Sequence, residues 1–281
     1  MKTEHCIGNL VTGTILILVL TINFVPVSYA AGELLISPTR IVFEKHTRTA
    51  SVSMVNAGNE TYTYRIEFVQ RRMKPDGSFE EINKSGPGEQ FSADMIRFSP
   101  RQVTLQPGQA QSIRLMLRKP PKLKDGEYRS HMLFRAIPKA SSSSVAQLNN
   151  DPKAISIQLT PIVGISIPVI VRHGQTQVTT TISKLRYYEK KSTVLFDLMR
   201  SGNASVYGDI TILFKDQGGH ASVLRKVNGL AVYTPNKSRR MNIPTQIPAG
   251  VTIKNGTLSV LFHQTKEAGG ALITEKSIKI P

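Results

Sequence analysis

Alternation of apolar and polar residues with a period of two constrains this 281-residue chain most, because helical periodicity is nearly absent from it. Turn signals such as Asn56-Ala57-Gly58 and Pro107-Gly108 separate the alternating runs. Seven strands are predicted in the first half, at residues 34–43, 50–55, 61–69, 96–105, 111–117, 131–136 and 155–171. Seven more are predicted at residues 177–186, 193–198, 207–214, 229–233, 239–243, 257–263 and 271–280. The pattern predicts an all-β protein of two β-sandwiches, residues 31–172 and 173–281.

The first 30 residues are typical of a secretory signal peptide. A short polar start precedes a charge-free stretch whose apolar centre is too short for an ordinary membrane span. Ser28 and Ala30 supply the small residues expected before a cleavage site, and an uncleaved signal anchor is the alternative. Lipid modification of Cys6 is set aside because Cys6 precedes the apolar centre. Cleavage after Ala30 would leave an exported chain without cysteine and without a membrane span.

The net charge of +17 is spread along the chain rather than concentrated in one region. Residues 31–172 hold 20 Lys and Arg against 12 Asp and Glu, and residues 173–281 hold 15 against 6. A nucleic-acid site would cluster basic and aromatic residues on one face, so no nucleic-acid partner is expected. The six histidines are scattered without metal-ligand spacing, and no nucleophile elbow or phosphate-binding loop is present. His131, in the middle of a predicted strand, is interpreted as a core histidine, and neither an enzyme nor a metal site is expected.

A long apolar strand follows a stretch of loop composition, residues 139–151, which is rich in serine and asparagine. Its odd-numbered positions are aliphatic and would share one face of the strand: Ile155, Ile157, Leu159, Val163, Ile165, Ile167, Val169 and Val171. Pro161 and Pro168 cannot donate to a ladder, so this is either an edge strand or an interior strand with bulges at both prolines. A long apolar edge is an aggregation hazard unless it pairs with another chain. Both alternatives stay open from the pattern alone.

Several motifs in order resemble the periplasmic pilus-assembly chaperones, the PapD-like family. They are Ser37-Pro38-Thr39-Arg40-Ile41-Val42-Phe43, residues 50–56, residues 96–114, and the segment from Asp125-Gly126-Glu127 to Ala136-Ile137-Pro138. The resemblance covers residues 33–172 well and the remainder weakly. It implies two immunoglobulin-like sandwiches in an L-shaped arrangement, a periplasmic location, and binding without catalysis or a cofactor. It also implies pilus or fimbrial subunits and an outer-membrane usher as partners.

The same resemblance implies how a subunit is held. Subunits of the family lack their last strand, and the chaperone lends its seventh strand to the gap. Here that role falls on Ile155, Ile157, Leu159 and Val163, while Ile165 to Val171 could equally pack in the chain's own core. Four buried aliphatic side chains contribute roughly 6–12 kcal/mol before the costs of association.

The family's first-strand arginine, Arg40 here, binds the subunit's C-terminal carboxylate together with a lysine on the donor strand. A guanidinium fork suits a carboxylate. This chain departs from the pattern because Pro168 stands where the lysine is expected. Three alternatives follow: Arg40 acts alone, another cation substitutes, or Arg40 is an ordinary surface arginine and the anchor is absent.

Glu127, Arg172 and Glu267 match an ion-pair network between the two domains of the family. Such a network would fix the angle between the domains more than it stabilises them. An ordinary solvated glutamate is the alternative for Glu267. The competing function for the whole chain is a structural or adhesive surface protein built of tandem sandwiches, which would polymerise rather than capture a separate subunit.

Overall fold

The computed structural model describes residues 34–138 and 164–281 of the chain. The predicted signal peptide, residues 1–30, and the predicted donor-strand residues Ile155, Ile157, Leu159 and Val163 lie outside the described residues. Nearly all regular structure within the described ranges is β-strand, and no helix there is long and apolar enough to cross a membrane. The predicted all-β fold is therefore confirmed.

Two sheets pack face to face in the first half. One has the strand order β1-β3-β9-β7 and the other β2-β11-β10-β4-β8. Inward side chains alternate with outward ones along β3 and β9, as the period-two pattern predicts. The strands are β1 (Leu34–Ser37), β2 (Ile41–Phe43), β3 (Thr49–Asn56), β4 (Tyr62–Val69), β5 (Arg71–Met73), β6 (Phe79–Glu81), β7 (Ile96–Ser99), β8 (Gln102–Leu105), β9 (Ala110–Leu117), β10 (Gly126–Ile137) and β11 (Gly164–His173).

Two of the predicted strands are each divided in two. The run at 34–43 becomes β1, which pairs with β3, and β2, which pairs in parallel with β11 in the opposite sheet. The run at 96–105 is divided at Pro100 into β7 and β8, which also lie in different sheets. Pro38 and Pro100 lack the N–H that a continuous ladder needs, so each strand changes sheets at its proline.

Strand β11 lies in the interior at its C-terminal end only. It pairs with β10 along Gly164–Arg135 to His173–Gly126, but with β2 only from Val169 to Val171. Ile167, Val169 and Val171 are buried in the core between the two sheets, and Ile165 packs against it. The C-terminal half of the predicted long strand, from Ile165 to Val171, therefore packs in the chain's own core.

The second half forms another pair of sheets, of orders β12-β13-β16 and β15-β14-β17-β18. Its core contains Phe196, Phe214 and Phe262, each almost fully buried. The strands are β12 (Val178–Tyr188), β13 (Thr193–Gly202), β14 (Val206–Lys215), β15 (Ala221–Val232), β16 (Ser238–Pro244), β17 (Gly256–His263) and β18 (Leu272–Ile280). Two separate cores, one in each half, fulfil the prediction of two sandwiches.

A hairpin that the sequence did not predict, β5–β6, contacts the second sandwich. Met73 of the hairpin is buried with Ile170, Ala231 and Tyr233 in a small third cluster. The Asn236 amide donates to the Met73 carbonyl over 2.8 Å. Residues from both sandwiches thus share one apolar contact, and Tyr233 is its aromatic member.

Candidate functional site

Arg40 lies between β1 and β2 and reaches the second sandwich. Its Nη1 donates to the Tyr233 hydroxyl over 3.1 Å, and its Nη2 donates to the Ser205 hydroxyl over 3.4 Å. The guanidinium carbon lies 4.6 Å from the centre of the Tyr207 ring and 5.5 Å from that of Tyr233. Two aromatic faces and two hydroxyls therefore hold this half-buried cation in one place.

The two tyrosines are positioned by strands that the alternation predicted. Tyr207 belongs to β14, and Tyr233 directly follows β15. Burial raises the pKa of the Tyr207 hydroxyl, against the opposite effect of nearby Arg40, so this phenol stays neutral and can donate a hydrogen bond. The sequence reasoning did not select either tyrosine, because a tyrosine in an alternating strand has no signal of its own.

Glu127, Arg172 and Ser205 form a compact buried group. Arg172 Nε donates to Glu127 Oε2 over 3.2 Å, and the Ser205 N–H and hydroxyl donate to the same oxygen over 3.0 and 2.8 Å. Arg172 Nη2 also donates to the Ser205 carbonyl over 3.1 Å. The Glu127 side chain has an exposed fraction of 0%, so this carboxylate depends on these donors in place of water.

The structure brings Glu127 and Arg172 together and places Glu267 elsewhere. The second carboxylate on Arg172 is that of Glu44, at 3.3 Å from Nη1. Glu267 is exposed in the short 3-10 turn Lys266–Ala268 and, among the described residues, has no salt bridge. Hydrogen bonds from its own N–H and from the Thr265 hydroxyl lower its pKa. The third expected member of the network is therefore replaced by Glu44, because Glu267 is held locally in its turn.

A cavity of about 460 Å³ joins Arg40 and Arg172. Its polar lining includes Thr180, Ser205, Tyr207 and Gln264, and its apolar lining includes Val178 and Leu272. The nitrogens of Arg172 already donate to Glu127, Glu44 and Ser205. Within the described part of the chain, the groups that contact the Arg40 guanidinium are neutral: the Tyr233 and Ser205 hydroxyls and the Tyr207 ring. The cavity therefore presents one uncompensated guanidinium with hydroxyl groups around it, an arrangement suited to a carboxylate.

Pro168 stands where the family resemblance implies a lysine, and it lies opposite His131 on β10. Strand β2 begins to pair with β11 at the next residue, Val169. A second cation beside Tyr233 is Arg129, whose guanidinium carbon lies 4.3 Å from the centre of the Tyr233 ring. Burial lowers the pKa of Arg129, and among the described residues its Nε and Nη1 have no hydrogen-bond partner. Arg40 and Arg129 thus share Tyr233.

Before Val169, the edge of β11 on the side of β2 has no partner strand in the described part of the chain. Residues 164–168 pair with β10, whereas β2 covers only Val169 to Val171 among the described residues. Open backbone groups at this edge can pair with a further strand. The aliphatic row predicted at Ile155, Ile157, Leu159 and Val163 leads directly into this edge, although those residues lie outside the described part of the chain.

His131 is buried in the sheet and packs edge-on against Phe79, with ring centres 5.3 Å apart. Burial, together with the positive charges of Arg129 and Arg71, lowers its pKa to about 3. The interpretation as a core histidine agrees with this environment. Within residues 34–138 and 164–281, no group of three or more His, Cys, Asp or Glu could hold a metal ion.

Comparison with known proteins gives one family. Residues 33–173 match the family described as pili and flagellar-assembly chaperone, PapD N-terminal domain. No curated protein sequence matches the chain. Among solved structures, the chain is similar to the YadV chaperone, with 12% identity and a TM-score of 0.44 over 88% of this chain and 99% of that one.

Two further solved structures resemble the chain at a similar level. The E. coli chaperone DraB has 14% identity and a TM-score of 0.43, over 89% of this chain and 97% of that one. A Salmonella enterica complex of the SafA pilin with the SafB chaperone gives 14% identity and a TM-score of 0.43, over 90% and 99%. The family match spans half of the chain, including Arg40, Glu127 and Arg172. The chain belongs to the pilus-assembly chaperone family of the PapD type.

Proposed function

We propose that this protein is a periplasmic chaperone that captures pilus or fimbrial subunits by lending them a β-strand and then transfers them to an outer-membrane usher. The proposal assigns the lent strand to the aliphatic row Ile155, Ile157, Leu159 and Val163. It also assigns residues 1–30 to a signal peptide that is cleaved after Ala30, and residues 31–172 and 173–281 to two domains.

The open edge of β11 is the observation that carries this proposal. Residues 164–168 have a partner strand on one side only, among the described residues, and the apolar row continues upstream of them. A subunit that lacks a strand could pair with this edge through main-chain hydrogen bonds. Apolar pockets of the subunit would then bind alternate side chains of the lent strand.

The cavity at Arg40 supports a second part of the proposal, the binding of the subunit's C-terminal carboxylate. Arg40 would bind it without a lysine, with the Tyr207 hydroxyl as a further donor, since the Ser205 hydroxyl already donates to Glu127. Arg172 and Arg129 are the nearby cations, but Arg172 is already paired with Glu127 and Glu44, and Arg129 is buried behind Tyr233. Arg40 is therefore the cation that remains for a ligand.

Co-expression of the mature chain with a pilin-like subunit encoded beside it tests strand donation. We expect a soluble 1:1 complex, and we expect Ile157→Asp with Leu159→Asp to abolish it because charged side chains cannot fill apolar pockets. Val223→Asp is the matched control, since Val223 is an exposed apolar residue on β15 of the second sandwich. The proposal would be contradicted if the amount of soluble subunit recovered without the chaperone, or with the double variant, equalled the amount recovered with the wild-type chaperone.

Self-association distinguishes the competing function, a structural or adhesive surface protein. A chaperone of this kind stays soluble and binds a separate subunit, whereas a structural protein polymerises. Sedimentation of the purified mature chain alone, over a range of concentrations, measures the difference. N-terminal sequencing of the exported protein, with Ala31 as the expected first residue, tests the assignment of the signal peptide.

A further inference from the structure

The outer face of the sheet β1-β3-β9-β7 carries a group of arginines around one exposed methionine. Met116 of β9 is 54% exposed and lies directly opposite Arg97 of the edge strand β7. Arg114 lies two residues before Met116 on the same face of β9, and Arg118 directly follows the end of that strand. We refer to Arg97, Arg114, Arg118 and Met116 as the arginine face.

Positive charge on the arginine face is not compensated. The four strands of this sheet contain no Asp or Glu. Within residues 34–138 and 164–281, none of the three guanidiniums has a hydrogen-bond or ion-pair partner, and the acid nearest along the chain, Asp94, forms no ion pair with them. Arg97 and Arg114 are diagonal neighbours across β7 and β9, because Arg114 lies opposite Ser99, and long side chains at such positions are close enough for their charges to repel. A binding role for an anion would account for their placement.

A groove of about 750 Å³ runs across this face between the arginines. Small hydroxyl-bearing residues line it beside Arg114, which has Ser51 opposite on one neighbouring strand and Ser99 opposite on the other. Guanidinium forks with hydroxyls beside them are the donors that bind carboxylates well. The short side chain of Ser99 leaves Arg114 accessible from the edge of the sheet.

Strand β7 also offers backbone groups for pairing. It is the last strand of its sheet and, in the described part of the chain, pairs with β9 only. The Arg101 guanidinium lies over the Phe98 ring, 5.0 Å from its centre, and adds a further cation at the end of this edge. An extended segment that paired with β7 would place alternate side chains beside Arg97 and Ser99.

We infer that β7 and the arginine face form a second binding site, which takes an extended acidic peptide segment. An acidic side chain beside Arg97 would pair with that guanidinium, and one two residues away would reach over Ser99 to Arg114. The side chain between these two acids would face the other side of the sheet, as Phe98 does between Arg97 and Ser99, so we expect it to be apolar. The recognised pattern is therefore acidic–apolar–acidic. This site lies in a different sheet from the Arg40 cavity, so it does not depend on the proposed function.

Fluorescence anisotropy with the labelled peptide Thr-Glu-Val-Glu-Thr-Val and the mature chain tests this inference at low salt. We expect saturable binding that Arg97→Gln with Arg114→Gln weakens at least tenfold, and that Arg65→Gln leaves unchanged. Arg65 is the matched control because it is an exposed arginine on β4 of the other sheet. The double variant should keep the wild-type melting temperature, since it removes a repulsion between like charges.

Two altered peptides separate charge from strand pairing. A peptide with lysine in place of both glutamates should not bind. A peptide N-methylated at every residue should bind at least tenfold more weakly, because it keeps its charges but loses its amide donors on both edges. Absence of binding by the acidic peptide would overturn the inference. So would an equal loss in Arg65→Gln, or undiminished binding of the N-methylated peptide.

Discussion

The Ser205 hydroxyl donates a 2.8 Å hydrogen bond to Oε2 of Glu127, and it joins the two sandwiches by doing so. Glu127 belongs to β10 of the first sandwich, and Ser205 directly precedes β14 of the second. The Ser205 N–H and the Arg172 guanidinium donate to the same carboxylate oxygen. Because the carboxylate is shielded from water, no water molecule can replace these hydrogen bonds between the sandwiches if one of them is lost.

Removal of the Glu127 carboxylate should destabilise the protein strongly. In Glu127→Ala, Arg172 loses its buried partner and Ser205 loses the acceptor for two hydrogen bonds, so we expect a loss of about 3 kcal/mol in the free energy of unfolding. Urea unfolding followed by circular dichroism measures it. Glu267→Ala is the matched control and should leave the midpoint of unfolding close to that of the wild type, because Glu267 is exposed. Equal effects of the two substitutions would contradict this assignment.

The tyrosines around Arg40 should matter for the binding of a subunit. Arg40→Ala should weaken subunit capture about tenfold or more, because a charge-assisted hydrogen bond contributes about 1.5–3 kcal/mol. Tyr233→Phe keeps the ring under the guanidinium and loses only the hydroxyl, so it should have a smaller effect than Tyr233→Ala. Titration of the purified chaperone with a peptide of the subunit's C-terminal residues measures both. Unchanged affinity in Arg40→Ala would remove Arg40 from the site.

Stability should fall on acidification because of His131. Its pKa in the folded protein is about 3, below the ordinary histidine value of 6.5, so between these pH values the unfolded chain binds the proton and the folded chain does not. The contribution is complete above about pH 6.5 and decreases as the pH falls towards 3. Between pH 7 and pH 5 we expect a loss of about 2 kcal/mol.

Urea unfolding at pH 7 and pH 5 measures this dependence. His131→Leu should flatten it, whereas His220→Gln should leave it as in the wild type, since His220 is exposed. The choice of pH 5 limits the contribution of most carboxylates, which titrate lower. An unchanged pH dependence in His131→Leu would assign the effect to other groups.

Gly202, at the end of β13, should not tolerate a side chain. Its φ is +100°, and a Cβ there would lie 2.2 Å from the Gln177 carbonyl oxygen, so Gly202→Ala meets both backbone strain and a backbone clash. We expect a loss of about 2 kcal/mol or more in stability. Gly108→Ala is the control: its φ is +72°, but a Cβ there meets nothing within 4 Å. Gly108→Ala therefore meets backbone strain without a clash, and its melting temperature should fall by less than that of Gly202→Ala.

The all-β fold could be predicted from the sequence because the alternation of side chains is a local property of each strand. Most predicted strands are present with bounds shifted by a few residues, such as β3 and β17. The alternation fails where both faces of a strand are buried with polar groups, as in β10, which begins at Gly126 rather than near His131. The β5–β6 hairpin was missed because its short strands, Arg71–Met73 and Phe79–Glu81, carry mostly charged residues.

Candidate residues could be selected from sequence when they lay in a recognisable motif, as Arg40, Glu127 and Arg172 do. Tyr207, Tyr233, Ser205 and Glu44 lie outside the quoted motifs, and only their positions in space bring them to the same cleft. Long-range contacts of this kind arise when two sandwiches pack, and neither strand period nor residue spacing encodes which side chains then meet. The sequence alone therefore determined most of the strands, the buried face of those that alternate, and the resemblance to the family. The tertiary structure decided which tyrosines hold Arg40 and which carboxylates hold Arg172, because burial between sandwiches selects partners by position rather than by order along the chain.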